Sequence, residues 1–259
     1  MRKEGKRLKA WWNLFKKELA FGSKWSGPLW IYLLIVLLMG GLSIYFSYRF
    51  HSGAMSGIWL AIIYLHFMGP TVYMLISLKK ERDYAPLWLQ LPLSGWKLLT
   101  AKYAAAMCEF GAGLLVSTGF FLWMFTIESS GATWSSDNQM KLSAEFEKFS
   151  GFFHGSHLET VFEFMSMALA LAISCVLLYL MASAMTNRFG PWRWPLAILI
   201  LGTITALENV FEHTWVYRFL FHWGTAGDTL YAGEYVWICI NMVICLYASV
   251  WLLDRKEEV

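Results

Sequence analysis

Read from its N-terminus, the chain alternates between long stretches almost free of charge and short stretches crowded with it. Ahead of the first long stretch, residues 1–26 place Leu8, Trp11, Trp12, Phe15 and Leu19 at i, i+3, i+4, i+7 and i+11, with Lys9, Asn13, Lys16 and Lys17 elsewhere on the turn. That spacing gathers the apolar residues on one helical face. Aromatic anchors on one side and lysines on the other suit the headgroup region of a bilayer, so an interfacial amphipathic helix is predicted.

Six apolar stretches follow, and about 20 apolar residues suffice for a helix to cross the hydrocarbon core. The predicted spans are Leu29–Tyr48, Gly57–Leu78, Ala101–Ile127, Val161–Met185, Trp194–Leu207 and Tyr235–Leu253. Pro70 is predicted to kink the second, because its ring removes a backbone N–H and crowds the preceding turn. The fifth is short or continues in a bent form. The fold class is therefore all-α: a polytopic membrane protein of six transmembrane helices, read as one domain over 1–259 with no internal repeat. Small residues recur in the third span (Ala104, Ala105, Ala106, Gly111, Gly113) and the fourth (Ala168, Ala170, Ala172, Ser174), where they permit close helix approach.

Three connections carry the remaining polarity. Segment 79–100 is charged at its start and half apolar after it. Segment 128–160 is rich in Ser, Gly, Glu and Lys, with room for a small helix around Met140–Phe149. Segment 208–234 mixes Phe211, Trp215, Tyr217, Phe219, Phe221 and Trp223 with Glu212, His213, Arg218 and His222. It is too polar to cross and too aromatic to float free, so a re-entrant or interfacial course is predicted. Positive charge sets orientation. One side would hold the basic N-terminus, Lys79, Lys80, Arg82, Lys97, Lys102, Arg188, Arg193, Arg255 and Lys256; the other holds Arg49, Lys141, Lys148 and Arg218. The richer side is predicted to be cytoplasmic and to carry both termini.

Composition agrees with lipid as part of the solvent: 58% of residues are apolar and 15% charged, against about 25% charged in an average soluble domain. The net charge of +3 adds little. Cys108, Cys175, Cys239 and Cys245 all lie in apolar runs without a CxxC pair, so neither disulfides nor a zinc site is expected. No continuous apolar run precedes Pro28, so no cleavable signal peptide is expected.

The chemistry is mostly negative. No GxxxxGK[ST], HExxH or GxSxG motif occurs, so the chain is expected neither to bind a nucleotide itself nor to be an enzyme. The span count invites comparison with rhomboid proteases, but the fourth span has Ser166, Ser174 and Ser183 without the glycine context and the sixth has no histidine base. His154, His157 and Glu159 in HGSHLE read as polar residues of an exposed loop, and no metal is expected. Titratable residues at membrane depth are the candidates for a polar substrate path: His66 within the second span, Glu109 in the third, Glu163 opening the fourth and Glu208 after the fifth. Glu109 lies seven residues beyond Lys102, about 10 Å deeper. The competing reading is hydrogen bonding that fixes helix packing. It suits His66 better, interfacial placement suits Glu163 and Glu208, and Glu109 stays open between the two.

The most informative stretch is KKERDYAPLWLQLPLSGWKLLTAKY, residues 79–103. A charge cluster is followed by Tyr84, Leu87, Trp88 and Leu91 at helical spacing, then by Pro92 and Ser94, which suit the start of a new helix. An apolar face rimmed by charge outside a membrane usually meets a partner protein. With Glu81-Arg82-Asp83, Leu91-Pro92-Leu93-Ser94, Lys97 and Lys102, the segment resembles the connection between spans two and three of ABC-2 type transporter permeases, and the layout of nearly the whole chain is similar to theirs. The resemblance implies a coupling helix docking on an ATP-binding subunit through Glu81, Asp83, Tyr84, Leu87, Trp88 and Leu91. It implies a second permease subunit, identical or not, with ATP and Mg in the partner and no cofactor in this chain. It also implies a place in the cell membrane and export of a peptide, antibiotic, lipid or other amphipathic substrate, with re-entrant helices over 208–234. No nucleic-acid partner is expected. The alternative from another class is a non-transporting membrane sensor or scaffold that recruits a cytoplasmic regulator.

Overall fold

The computed structural model describes residues 2–25, 29–50, 54–83, 94–130, 157–224 and 231–256, with side chains over 9–20, 34–50, 54–80, 94–128, 163–186, 188–224 and 231–254. Every regular element among the described residues is helical. In chain order these are α1 (Arg2–Trp25), α2 (Leu29–Phe50), α3 (Ala54–His66), α4 (Gly69–Asp83), α5 (Gly95–Ser130), α6 (His157–Ala184), α7 (Arg193–Glu212), α8 (Trp215–Phe221) and α9 (Ala232–Lys256). A turn of helix at Thr186–Phe189 and a 3-10 turn at Gly190–Trp192 lead into α7.

Four stretches among the described residues are long and apolar enough to cross a bilayer: Gly95–Glu128, Glu163–Ala184, Gly190–Glu212 and Ala232–Asp254. A fifth is formed jointly by Ala54–His66 and Gly69–Lys80, bent by 45° at their break. Over Leu34–Phe50, α2 is a shorter apolar helix. These long apolar helices mark a membrane-embedded protein, with four or five such spans among the described residues where the hydropathy pattern predicted six. The 131–156 part of the polar connection and the expected helix around 140–149 lie outside the described residues, as does 84–93.

The differences in span boundaries have local causes. The second span breaks at Phe67–Met68, and Pro70 is the second residue of the helix that resumes at Gly69. There its missing N–H costs nothing, since first-turn N–H groups have no intrahelical partner. The third span begins earlier than predicted, because the Gly95 N–H donates to Asp254 Oδ1 at 3.0 Å and gives α5 a borrowed cap. The fifth runs on to Glu212 rather than stopping near Leu207. Its carboxylates there find donors on α9, so charge did not end the helix.

By packing, the chain falls into two units, Met1–Tyr73 with Ala101–Met165 and Met74–Thr100 with Ser166–Val259. The core of the first is Trp59, Ile63, Phe121 and Met124, with Ile44, Leu60, Leu114 and Phe120 around it. Trp59 stacks on Phe120 at 4.6 Å between ring centres. On α1 the buried residues are Leu14, Phe15 and Glu18, and Trp12 is 49% exposed. The face that meets protein is therefore turned from the predicted apolar stripe. Trp11 and Trp12 both stack on Phe15, at 5.5 and 5.3 Å, and the Lys16 ammonium lies 5.5 Å from the centre of the Trp12 ring. The small residues Ala105, Ala168 and Ala172 are fully buried, as close helix packing requires.

Met124 is completely buried, whereas Leu115 on the same helix is 77% exposed. Met124→Ala should leave a cavity and cost about 2–5 kcal/mol. Leu115→Ala should change stability by less than about 0.5 kcal/mol. Thermal melting of both variants in one detergent checks the contrast; equal melting temperatures would contradict the core assignment.

Candidate functional site

The charged residues that matter most lie at the two ends of α5. Near its start, Lys102 is fully buried, and its ammonium donates to Glu18 Oε2 of α1 at 2.9 Å, with side-chain exposures of 1% and 3%. The Tyr73 hydroxyl of α4 joins them, donating to the Glu18 carbonyl oxygen at 3.1 Å and to Oε2 at 3.4 Å. Burying either ion alone would cost several kcal/mol, and the short charge-assisted bond offsets that only while both partners are present. This site was not legible in the sequence. Lys102 read as one of several lysines setting orientation, and Glu18 as an interruption of an apolar run.

At the other end of α5, Glu128 is also buried. Its Oε1 accepts from Ser47 Oγ of α2 at 2.9 Å and from the Met55 N–H at 3.3 Å, and its Oε2 accepts from the Ser56 N–H at 3.3 Å. Met55 and Ser56 are in the first turn of α3, where N–H groups lack intrahelical partners and the helix dipole favours an anion. Ser47 Oγ also lies 3.2 Å from Met124 Sδ. Lys102 and Glu128 stand 26 residues apart, about 39 Å along a helix. That matches the distance between the two headgroup regions of a bilayer, so the two buried charges bracket the hydrocarbon core of this unit.

Between these marks lie two of the predicted path residues. His66 ends α3, its Nδ1 2.7 Å from the Ile62 carbonyl oxygen. A carbonyl only accepts, so Nδ1 is the donor of this contact. The ring lies over Gly113 of α5: a Cβ there would come within 2.6 Å of both Nε2 and Cδ2. This close approach fits the packing role expected of His66. Glu109 sits one turn before Gly113 and is exposed. Glu163 is half-buried at the start of the α6 span, one residue from Phe164, whose ring meets Phe67 at 5.3 Å and Phe110 at 5.9 Å.

Glu208 belongs to the second unit. There Asn241 of α9 presents its amide nitrogen to Glu208 Oε1 at 3.3 Å and its amide oxygen to Trp237 Nε1 at 3.1 Å. The same indole N–H lies 3.1 Å from Glu212 Oε1. Thr214 Oγ1 caps α8 by accepting from the Tyr217 N–H at 3.3 Å. The rings of Phe211, Tyr217, Phe221 and Trp237 then pack together with centres 5.1–5.9 Å apart. Gly233 permits this, since a side chain there would collide with the Phe221 carbonyl. His222 Nδ1 lies 3.6 Å from Glu234 Oε1. The opposite side of α8, Trp215 and Phe219, is exposed and stacked at 5.7 Å. Segment 208–234 is thus a helix end, a tight turn and a short helix packed by its aromatic residues, with residues 225–230 outside the described ones. Burial, then the Glu234 and Glu212 carboxylates, pushes the Tyr217 phenol above its ordinary range.

The residues named for an ATPase contact are scarcely described. Glu81 and Asp83 fall in the last turn of α4 with side chains outside the description, and Tyr84, Leu87, Trp88 and Leu91 lie outside the described residues. Among the described residues, no group of three or more His, Cys, Asp or Glu could hold a metal ion. Comparison with known proteins finds no matching family model, no matching curated protein and no matching solved structure.

Two tests follow from this geometry. Lys102→Ala strands the Glu18 carboxylate and should destabilise the protein by about 3–5 kcal/mol, while Lys102→Met combined with Glu18→Leu should recover most of that loss. Melting of the single and double variants decides it, and strictly additive losses would contradict a buried pair. For Tyr217, the raised phenol pKa favours the neutral form in the folded state. Its stability contribution is complete below the ordinary value of about 10 and is lost as pH rises through the folded value. Tyr217→Phe should therefore flatten the decline in melting temperature above about pH 10; an unchanged alkaline limb would contradict the assignment.

Proposed function

We propose that this chain is the membrane-spanning permease of an ATP-driven transporter of the ABC-2 type. It would work as a pair of permeases with separate ATP-binding subunits that hold the ATP and Mg. The reading places it in the cell membrane with both termini in the cytoplasm. The observation that carries it is the 79–103 phrase, in which a charge cluster, an apolar helical face and an LPLS break lead directly into the next span.

The buried pair at Lys102 supports the reading mechanically. Lys102 lies eight residues after Ser94 on the helix that the phrase opens, and its bond to Glu18 ties α1 to that helix. A push delivered to 79–100 by a closing ATPase dimer would reach α5 and α1 together, because close-packed elements transmit strain rather than absorb it. The spans then alternate the access of a cavity between permeases. The energy-yielding chemistry belongs to the partner. An exported amphipathic cargo follows from the same reading.

At their sequence spacing Tyr84, Leu87, Trp88 and Leu91 would share one face of a helix, so a carboxylate placed there would fall in the desolvated contact with the ATPase. Leu87→Glu and Trp88→Glu should each weaken the complex by about 2–5 kcal/mol, enough to lose the ATPase in a pull-down, while Lys141→Glu should retain it. Retention of the ATPase by both cytoplasmic variants would overturn the proposal. A non-ATPase protein captured instead, and lost in the same two variants, would favour the scaffold.

A further inference from the structure

We propose that the break in the second span is a binding site for a protonated amine with an apolar body. The proposal deepens the transport reading and rests on it for the site's role in carrying cargo; the binding itself belongs to this chain alone.

The break lies at mid-depth. His66 sits level with Gly113, 11 residues from Lys102 and 15 from Glu128, so about 16 and 22 Å from the two charges that bracket the hydrocarbon core. Irregular backbone at that depth is tolerated where it is covered by protein or lines a polar cavity. In transporters, interrupted helices of this kind build substrate and ion sites.

What the break presents is a set of acceptors. Pro70 carries no N–H, so the carbonyl of His66 has lost its usual donor four residues on. The same carbonyl is at the C-terminal, electronegative end of α3. With its Nδ1 proton on the Ile62 carbonyl, the His66 ring offers Nε2 as an acceptor in its neutral form. Thr71, the third residue of α4, is 7% exposed, and its hydroxyl oxygen meets no hydrogen-bonding partner. That is a buried polar group awaiting one.

Glu109 supplies the charge. Lys102, Ala106, Glu109 and Gly113 recur at four, three and four residues, so they form one stripe of α5. The stripe faces the second span at both ends, with Gly113 against the His66 ring and Lys102 sharing Glu18 with Tyr73. Glu109 lies between them on that stripe, one turn from Gly113. Lys102 and Ala106 are buried, yet Glu109 is exposed, so the stripe opens at this one position. A carboxylate left to hydrocarbon is costly, and a cation beside it removes the cost.

Carbonyl, imidazole nitrogen, carboxylate and hydroxyl together ask for a cation with several N–H donors, which a primary ammonium has. Phe164, whose ring meets both Phe67 and Phe110, offers with them aromatic surface for the ligand's apolar body and its charge. Free amines and aminophospholipid headgroups share this chemistry.

The test uses dansylcadaverine, a primary amine with an aromatic body, titrated into the purified chain in phosphatidylcholine nanodiscs. Saturable binding is expected, about tenfold weaker for the N-acetylated probe and about tenfold weaker for Glu109→Gln and His66→Phe. Leu115→Ala should bind as the wild type does. Adding phosphatidylethanolamine to the discs separates the sources: competition assigns the site to a lipid headgroup, and its absence assigns it to a free amine. If Glu109→Gln does not fold, His66→Phe and the acetylated probe still decide. Equal binding of the amine and its acetylated form, or unchanged affinity in the folded variants, overturns the proposal. Loss of the amine site with ATPase capture intact leaves the transporter reading standing, and lost capture with amine binding intact separates the two in the other direction.

Discussion

A lysine ammonium buried as deeply as Lys102 needs a carboxylate beside it, and that requirement organises the first unit. It brings α1 onto α5 through Glu18 and draws in α4 through Tyr73. The arrangement is repeated in mirror sense 26 residues along α5, where Glu128 is held by Ser47 and by first-turn N–H groups of α3. A single long helix is thus pinned at both ends by buried charge. The aromatic and methionine packing of Trp59, Phe120, Phe121 and Met124 fills the space between. In hydrocarbon, apolar contact alone distinguishes poorly between one helix register and another, whereas an unmatched buried ion penalises every wrong one.

The same reasoning connects the break in the second span to its surroundings. With α3 and α5 fixed at the Glu128 end and α4 and α5 tied through Glu18, the 45° bend at Phe67–Pro70 falls in the middle of the span. Polar groups then collect there: the His66 carbonyl, whose usual donor position is Pro70, the His66 imidazole, a buried threonine hydroxyl and an exposed glutamate. The second unit handles its charge differently. Glu208 and Glu212 end a span and are absorbed by Asn241 and Trp237, beside a tight aromatic cluster.

Much of this was legible in the sequence because lipid imposes a strong pattern. Long uncharged runs predicted helices where helices occur, and Pro70 marked the bend. Boundaries were less legible, since hydropathy stops at a charge while the helix does not: Asp254 extends the start of α5, and Asn241 and Trp237 let α7 run on to Glu212. The buried pairs were hidden for a related reason. Lys102, Glu18 and Glu128 look like surface charges at span ends, and only the partners contributed by distant parts of the chain show that they are buried. Of the path candidates, the packing of His66 against Gly113 required a register between helices that no single-helix periodicity contains.

The proposed transporter reading requires that a separate ATP-binding subunit associate with this membrane chain. Native mass spectrometry of the chain purified from its own cells in mild detergent tests this most directly. The account predicts a complex with equal numbers of this chain and of an ATP-binding subunit, which separates when the 84–91 face carries a glutamate. The chain recovered alone across several mild detergents, or with a partner that hydrolyses no ATP, would contradict it.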